Sequence, residues 1–295
     1  MKPARGIVLI ILAITVFSIQ TGFIKAADRV PAGQAVFFRS ACALPVVFIW
    51  LWLRGDLSQG LRTRNYRGHI MRSVAGTLAM GLGFAGLKFL PLPEVTALRF
   101  ITPILIVLFA TALLGERIRL VRLSAVLMGL VGVLIILWPR LGAGLAGAGH
   151  REMIGAAMVL GSASFAAFAQ IFIKRMASVE TTAAIVFYFS MTSLGLSLLS
   201  APFGWVWPVG SEWALLVGAG FVGGMGQVLL TSSYRFADAS ILAPFTYVSM
   251  IWALLIGYFI FDEVPTVMML AGAALVIFSG VVIVWRERQL GRAAQ

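Results

Sequence analysis

The second half of this chain is a loose copy of the first, displaced by 147 to 149 residues. At a shift of 147 residues Trp138 aligns with Trp285 and Gly76 with Gly223, and at a shift of 149 the stretch 23–25 aligns with 172–174. Each copy holds five long apolar segments. Because five is odd, two copies that each cross a membrane five times must lie in opposite senses. The repeat therefore predicts an inverted pair, in which a binding site forms where the copies meet.

The apolar segments are long enough to cross a bilayer as helices. Of 295 residues, 60% are hydrophobic and only 12% are charged, which is too apolar for a water-soluble protein of this length. A helix needs roughly 20 residues to cross about 30 Å of hydrocarbon. The fold class is an all-α polytopic membrane protein, with ten transmembrane helices in two inverted five-helix repeats around a central cavity. We predict the spans at 5–24, 33–53, 69–87, 93–113, 119–138, 152–173, 182–203, 212–233, 239–261 and 267–285.

The repeat also sets the domain boundaries. Residues 1–138 form the first repeat, residues 139–151 an external linker rich in glycine and alanine, and residues 152–295 the second, inverted repeat.

The start of the chain imitates a secretory signal peptide. Because the first span has a repeat partner in the sixth, we expect it to be retained.

The basic residues predict the orientation in the membrane. Sixteen of the 23 lysines and arginines lie in the predicted cytoplasmic segments or at the span ends that border them, five lie in the predicted external segments, and Arg39 and Arg99 lie deeper within spans. This bias places both termini in the cytoplasm of a bacterial-type inner membrane. The basic run from Arg54 to Arg72 is interpreted as a retention signal that touches anionic headgroups. The same distribution argues against a nucleic-acid partner, although the formal charge is +12.

The residue types needed for catalysis are nearly absent. The two histidines, His69 and His150, are predicted in or beside loops on opposite sides of the membrane, and Cys42 is the only cysteine. Neither a histidine-based metal site nor a nucleophilic triad can be assembled from this set. We therefore predict no enzyme activity, no cofactor and no metal site.

Arg39 in the second span and Arg99 in the fourth are charges inside apolar helices. Each costs about 2.5–3.5 kcal/mol to insert at the centre of a membrane. Three interpretations fit them: the side chain snorkels to an interface, bonds to carbonyls at a helix break, or binds an anionic group. The spans hold no deep carboxylate that would pair with either arginine. Hence we favour an anionic group of the substrate.

Polar and aromatic residues on the predicted inner faces complete the candidate site. The repeat aligns Arg39 with Tyr188 and Arg99 with Thr246. An apolar, aromatic cavity with a few polar groups suits a small amphipathic molecule, although a lone glutamine or threonine also serves as a bond between helices. We predict that the substrate is bound by Arg99, Arg39, Thr96, Thr102, Gln20, Gln170, Tyr188, Tyr247, Trp252 and Phe100.

Several residues have a second, structural interpretation. Trp252 lies in the middle of span nine, where it either fills a gap between helices or lines a cavity. Pro103 and Pro244 are expected to kink spans four and nine, and interrupted helices in corresponding positions point to a transporter's binding site. Glu116 and Glu263 follow those two spans at equivalent positions, which favours a structural role at both turns.

The stretches that lead to these acidic turns resemble the drug/metabolite transporter superfamily, specifically its EamA-type branch. They read ALRFITPILIVLFATALLGER at 97–117 and APFTYVSMIWALLIGYFIFDE at 243–263. The segment FFRS at 37–40 is similar to the arginine-bearing motif of that branch, which implies a partly structural Arg39. The resemblance implies a basket of spans 1–4 and 6–9 around a central cavity, with spans five and ten peripheral. The second copy departs from the pattern at Asp262 and at Met250, where glycine and proline are usual.

The resemblance implies a secondary transporter of small organic metabolites that works by alternating access without ATP. Because members of the branch include exporters of amino acids, we predict amino acid export, aromatic ones included. The alternative is an importer or exchanger of an organic anion such as a vitamin, a carboxylate or a nucleotide-like metabolite. A channel is disfavoured because the paired polar rings of a pore are missing. The partners are a small-molecule substrate and the lipid bilayer, and a monomer is compatible with the pattern.

Overall fold

The described part of the chain is helical throughout, apart from turns and short connections. The computed structural model describes residues 3–53, 55, 60–63, 65–115 and 150–264, with scattered residues between 124 and 135 and between 266 and 278. Most of predicted spans five and ten, most of the 139–151 linker and Glu116 lie outside the described residues, so the total of ten helices stays a prediction. The polytopic all-α class is confirmed.

Within the described residues, eight of the predicted spans are formed by ten α-helices and one 3-10 helix, because some spans are divided. By length and composition, α1, α2, α6 and α8 can each cross a membrane alone, whereas spans four and nine are each divided into shorter pieces. The helices are α1 (Pro3–Ala26), α2 (Ala32–Leu53), α3 (Tyr66–Gly86), α4 (Leu92–Arg99), α5 (Ile101–Leu114), α6 (His150–Met176), α7 (Thr182–Leu198), α8 (Ser211–Ser233), α9 (Ala239–Leu242), the 3-10 helix (Ala243–Tyr247) and α10 (Val248–Phe261).

Side chains near the helix ends fix where several helices begin and stop. The Asn65 side chain accepts a hydrogen bond from the Gly68 amide before α3, and the Thr181 hydroxyl oxygen accepts one from the Ala184 amide before α7. Both satisfy amide groups that lack a partner inside a first turn. At the other end of the broken spans, α5 and α10 stop at a left-handed residue in repeat-equivalent positions, Gly115 (φ 67°) and Asp262 (φ 53°).

Ionic contacts at the two ends of the bundle show that the halves are inverted. Lys25, in the last turn of α1, pairs with Glu263, which follows α10. Lys174, in the last turn of α6, pairs instead with Asp238, which precedes α9. The segment from α9 to α10 therefore runs from one contact to the other. The repeat-equivalent helices α1 and α6 consequently end at opposite faces, which we name the Lys25 end and the Lys174 end.

The main contacts join one half of the chain to the other. Helix α1 packs along α8 and α3 along α6, while α2 crosses α7 and also contacts α8. Under the repeat alignment these pairs exchange with one another, as two inverted copies require. Glycines permit the closest approaches: a Cβ at Gly224 would lie 2.9 Å from the Cα of Ala43, and one at Gly220 would collide with Cys42. The glycine-rich face of α8 thus packs tightly against α2.

Candidate functional site

A cavity of about 310 Å³ lies between the two halves. The first half contributes wall residues from α1 to α5, and the second half from α6, α7, α8, the 3-10 helix and α10. Most of the lining is aliphatic or aromatic, with a smaller set of polar groups, which is the usual composition of a small-molecule site. The polar lining residues are Ser18, Gln20, Thr21, Arg39, Arg72, Thr96, Arg99, Thr102, Ser162, Gln170, Gln227, Thr246 and Ser249.

The two broken spans meet beside this cavity. Pro103 has no amide hydrogen, so the Arg99 carbonyl loses its helical donor four residues later, and α4 ends at that residue. Span nine changes to a 3-10 helix from Ala243 to Tyr247, where Pro244 interrupts it. The residues at the two breaks, Phe100 and Tyr247, are repeat equivalents and pack edge to face with ring centroids 5.0 Å apart. The interrupted segments therefore meet at the level of the cavity.

Arg39 is 2% exposed and its guanidinium lies inside the bundle. Its Nη2 donates to the Gly223 carbonyl at 3.4 Å and to the Gln227 side-chain oxygen at 3.2 Å. Nε and Nη1 are buried without a hydrogen-bond partner. Arg39 therefore does not snorkel, and it combines a structural contact to α8 with donors that remain available to a ligand.

Arg72 is a second buried guanidinium, also 2% exposed. Its central carbon lies 3.5 Å from the centroid of the Phe189 ring, which Arg39 also faces at 5.0 Å. A ring face attracts a cation and replaces part of its lost hydration. The Arg72 Nε and Nη1 atoms are buried and have no hydrogen-bond partner. The sequence-based assignment of Arg72 to a basic loop at the headgroups was wrong, because α3 begins at Tyr66 and carries Arg72 into the bundle.

Arg99 is the last residue of α4 and reaches across the cavity towards α3. Its guanidinium occupies the space that a side chain at Gly83 would fill, close to the Ser162 hydroxyl on α6. Ser162 itself donates to the Ala79 carbonyl at 2.6 Å, which holds its oxygen on the cavity wall. The helix break thus places a permanent cation on the cavity wall, beside Gly83 of α3 and Ser162 of α6.

The charge of the cavity wall is entirely positive. Three guanidiniums line it, and the lining residues that the structure describes include neither aspartate nor glutamate. None of the three arginines forms an ion pair with a described residue; the described ion pairs lie towards the two ends of the bundle. Uncompensated charge is costly at membrane depth. An anion in the cavity would recover part of that cost through paired, charge-assisted hydrogen bonds.

The neutral polar groups are mostly committed to the protein. Thr96 donates to the Leu92 carbonyl at 2.9 Å and Thr102 to the Ala163 carbonyl at 3.4 Å. The Gln170 side-chain oxygen accepts a bond from the Tyr234 hydroxyl. The Gln20 side-chain oxygen, in contrast, is buried without a partner and faces Gly223 of α8. Gln20 is therefore the neutral group of this set with unused bonding capacity.

The structure brings most, though not all, of the predicted site residues together. Arg99, Arg39, Thr96, Thr102, Gln20, Gln170 and Phe100 are on the cavity wall. The other three are elsewhere: Tyr247 packs behind Phe100, Trp252 donates its indole N–H to the Thr15 hydroxyl at 3.0 Å, and Tyr188 stacks on His69 near the Lys174 end. Trp252 therefore fills a gap between α1 and α10.

Sequence reasoning missed Arg72, Phe189 and Ser162 on the wall. The glycine pattern contained a usable signal for Arg72. Gly76 and Gly223 are repeat partners that lie against the wall residues. A Cβ at Gly76 would lie 2.8 Å from the Phe189 ring and 3.0 Å from Arg72. One at Gly223 would collide with the Gln20 side chain and lie 3.3 Å from Arg39. Each of these two glycines therefore makes room for an arginine together with a second wall residue.

An ion pair joins the helices at each end of the bundle, beyond the cavity. Glu263 pairs with Lys25 and accepts the Leu92 amide at 3.3 Å, so it connects α1, the end of α10 and the start of α4. A carboxylate is favoured there because the N-terminus of a helix carries partial positive charge. At the other end Lys174 binds Asp238 at 3.0 Å and donates to the Ala237 carbonyl at 2.9 Å. The structural role predicted for Glu263 matches these contacts.

Comparison with known proteins identifies relatives over nearly the whole chain. The model of the EamA-like transporter family matches residues 4–138 and 153–285. A pseudopaline exporter of Pseudomonas aeruginosa is 30% identical over 277 residues, which cover 92% of this chain and 93% of that protein. A riboflavin transporter of Vibrio cholerae is 25% identical, with 98% and 96% covered, and an S-adenosylmethionine uptake transporter of Rickettsia bellii is 28% identical, with 86% and 82% covered.

A solved crystal structure supports the fold. It superposes with a TM-score of 0.78 at 23% sequence identity, and the match covers 98% of this chain and 99% of the other. At this identity the likeness concerns the fold alone. It shows that the arrangement of helices recurs in an experimentally determined protein.

Proposed function

The chain belongs to the EamA-like transporter family, and from that premise we propose that it carries small organic anions with an apolar body across the membrane. The named relatives are transporters, with substrates as different as pseudopaline, riboflavin and S-adenosylmethionine. Family membership therefore leaves the substrate open. The chemistry of this cavity is what favours one class of substrate over another.

The observation that carries the proposal is the unbalanced charge of the wall. Arg39, Arg72 and Arg99 converge on one cavity whose described lining contains no carboxylate. A carboxylate substrate supplies the missing negative charge and accepts bidentate bonds from guanidinium. Three cations favour a dianion over a monoanion. The aliphatic and aromatic remainder of the wall favours an apolar body over a purely polar metabolite.

Export of amino acids, aromatic ones included, is the second candidate. The rings of Phe100 and Phe189 are on the wall, and a ring face can accept an ammonium group without a carboxylate. A zwitterion would place its carboxylate at an arginine and its ammonium against such a ring. It is less favoured because the three guanidiniums repel the ammonium.

Transport would proceed by alternating access between the inverted halves. The ion pairs Lys25–Glu263 and Lys174–Asp238 are the contacts that would separate in turn as the cavity opens to one end and then to the other. We propose that one chain forms the complete binding site, because both of its halves contribute wall residues to the cavity. The positive-inside bias supports a bacterial-type inner membrane with both termini, and hence the Lys174 end, on the cytoplasmic side.

Four ligands that share a phenyl ring test the proposal. Benzylsuccinate is a dianion, 3-phenylpropionate a monoanion, phenylalanine a zwitterion and phenethylamine a cation. A ligand that binds only the folded protein raises its thermal unfolding midpoint. We expect stabilisation of the purified protein to fall in that order and counterflow in proteoliposomes to follow it. Preference for phenylalanine over both anions would instead support amino acid transport, and preference for phenethylamine would contradict both candidates.

A further inference from the structure

A buried histidine and a buried glutamate face each other at the Lys174 end. The Nε2 atom of His69, on α3, lies 3.6 Å from a carboxylate oxygen of Glu180, in the turn between α6 and α7. His69 is 2% exposed and Glu180 is 7% exposed. His69 belongs to the first turn of α3, directly after the loop that ends at Asn65, which agrees with the predicted position in or beside a loop. Neither ring nitrogen of His69 has a hydrogen-bond partner within 3.5 Å.

Two hydrogen bonds hold Glu180 beside His69. The Thr63 hydroxyl donates to its other carboxylate oxygen at 2.8 Å, and Arg235 donates to its backbone carbonyl at 3.0 Å. Tyr188 on α7 covers the His69 ring at a centroid distance of 4.6 Å, and Tyr66 on α3 lies against Tyr188 at 6.3 Å. Tyr66 is largely exposed, which places this aromatic contact near the surface of the Lys174 end.

Arg72 connects this pair to the cavity. It lies three residues after His69 on α3, which puts the two side chains on neighbouring positions of one helix face, and its charge acts on the His69 ring. Arg72 also lines the cavity. The guanidinium therefore borders the proposed substrate anion on one side and the His69–Glu180 pair on the other.

Charge balance then links the two sites. While the cavity is empty, the Arg72 cation disfavours a proton on the His69 ring. An anion bound at Arg72 offsets that positive charge and so makes protonation of His69 more favourable. The imidazolium that forms is attracted by both the Glu180 carboxylate and the bound anion.

We propose that His69 and Glu180 form the proton-binding site of this transporter, and that Arg72 couples its occupation to binding of the substrate anion. This inference rests on the proposed function, since it takes an anion as the substrate. One proton from the aqueous phase at the Lys174 end binds to His69, and no other bond changes. By reciprocity, protonation of His69 strengthens anion binding by the same factor with which the anion strengthens protonation. Anion and proton therefore travel in the same direction.

Histidine NMR tests the coupling without a transported substrate. The chain has only two histidines, so the His150→Gln variant with ¹⁵N-labelled histidine gives a single ring to titrate. Replacing Arg72 with glutamine imitates its neutralisation by an anion and should move the titration midpoint of His69 upward by about one pH unit. Glu180→Gln should move it downward by a similar amount. Arg72→Lys keeps the charge and serves as the control, with little movement.

A ligand arm of the same experiment separates this inference from the proposed function. Saturating benzylsuccinate should raise the His69 midpoint in the His150→Gln protein in the same direction as Arg72→Gln does. Benzylsuccinate that stabilises the protein but leaves the midpoint unchanged overturns the coupling and preserves the anion site. Absence of any stabilisation refutes the anion proposal, whereas the shifts caused by the variants still report on the proton site.

Two results would overturn the proton site itself. The first is a His69 ring that does not titrate between pH 5 and 9. The second is a midpoint that Glu180→Gln does not lower. Thermal unfolding of each variant is measured alongside, and if Arg72→Gln does not fold, the Glu180→Gln titration decides alone.

Discussion

The two halves of the chain share a backbone plan and differ in charge. Their equivalent spans are broken at Phe100 and Tyr247, and their equivalent turns are left-handed at Gly115 and Asp262. All three guanidiniums of the cavity nevertheless come from the first half. At the positions aligned with Arg39, Arg72 and Arg99 the second half has Tyr188, Ala219 and Thr246, which are neutral.

This difference separates what the fold requires from what the substrate requires. The breaks, the left-handed turns and the glycine contacts recur in both halves because each copy must pack in the same way against the other. The arginines do not recur, so packing does not demand them. A cavity that is positive on one wall and neutral on the other binds a polar molecule in one orientation. We therefore attribute binding of the anionic group to the first half and contact with the apolar body mainly to the second.

The unequal contribution of the two halves to anion binding is tested by substituting equivalent residues in each half. We expect Arg99→Gln to weaken benzylsuccinate binding by about 10- to 100-fold, the loss typical of one charge-assisted bond. Thr246→Val, the equivalent change in the second half, should cost less than about threefold. Isothermal titration of the purified variants measures both. Equal losses would show that the two walls contribute alike.

The same Arg99→Gln variant should gain stability without ligand. Removing a cation that forms no ion pair with a described residue relieves its desolvation cost, so the variant should combine weaker ligand binding with a higher unfolding midpoint. Thermal unfolding in the absence of ligand provides the measurement. A lower midpoint would indicate that Arg99 supports the fold.

A glycine pair on α3 tests the position of the Arg99 charge. A Cβ at Gly83 would collide with the Arg99 guanidinium, whereas a Cβ at Gly81, on the same helix, meets nothing within 4 Å. Gly83→Ala should therefore displace the guanidinium and weaken benzylsuccinate binding several-fold, with the charge retained. Gly81→Ala, as the matched control, should leave affinity unchanged. Equal affinities of the two variants would mean that binding depends on the charge of Arg99 but not on the position of its guanidinium.

The ion pairs at the two ends of the bundle should differ in how much they stabilise the protein. Glu263 joins Lys25 and the start of α4, so Glu263→Gln should lower stability by about 1–3 kcal/mol. At the Lys174 end Asp238 is more exposed, with 40% of its side-chain surface accessible, and Asp238→Asn should cost under about 1 kcal/mol. Thermal unfolding compares them. A larger loss for Asp238→Asn would reverse the ranking of the two ends.

The smallest effect concerns the equivalent left-handed turns. Asp262 has φ 53° where the first half has glycine, and a side chain in this region costs about 1 kcal/mol or less for aspartate. Asp262→Gly should stabilise the protein slightly, and Gly115→Ala should destabilise it by about 1 kcal/mol. Opposite signs in unfolding experiments would confirm that the halves share this backbone requirement. Destabilisation by both changes would give Asp262 a role beyond the turn.

Much of this architecture follows from the sequence because repeat, span length and proline position act locally. The odd number of spans per copy predicts the inversion, and Pro103 and Pro244 predict breaks in the equivalent spans where the structure has them. Arg39 and Arg99 stand out because each is a single charge within an apolar run. These inferences require only the pattern along one helix.

The features of the site that the sequence does not predict depend on which face each helix turns to its neighbours. A charge near a predicted span end, such as Arg72, looks from sequence like a headgroup contact until the true start of α3 is known. Tyr247 and Trp252 were predicted on the wall because they are polar aromatics in a broken span, yet packing directs them at Phe100 and Thr15. The His69–Glu180 pair joins residues more than one hundred positions apart, which no local pattern reveals.

The most direct test of the central claim is to locate a bound anion in the cavity. We suggest a crystal structure with 4-bromobenzylsuccinate, in which anomalous scattering of bromine marks the ring. The account predicts the carboxylates within hydrogen-bonding distance of Arg99 and of Arg39 or Arg72, with the bromine against the second half. Carboxylates on the second-half wall, with the bromine beside the three arginines, would contradict it.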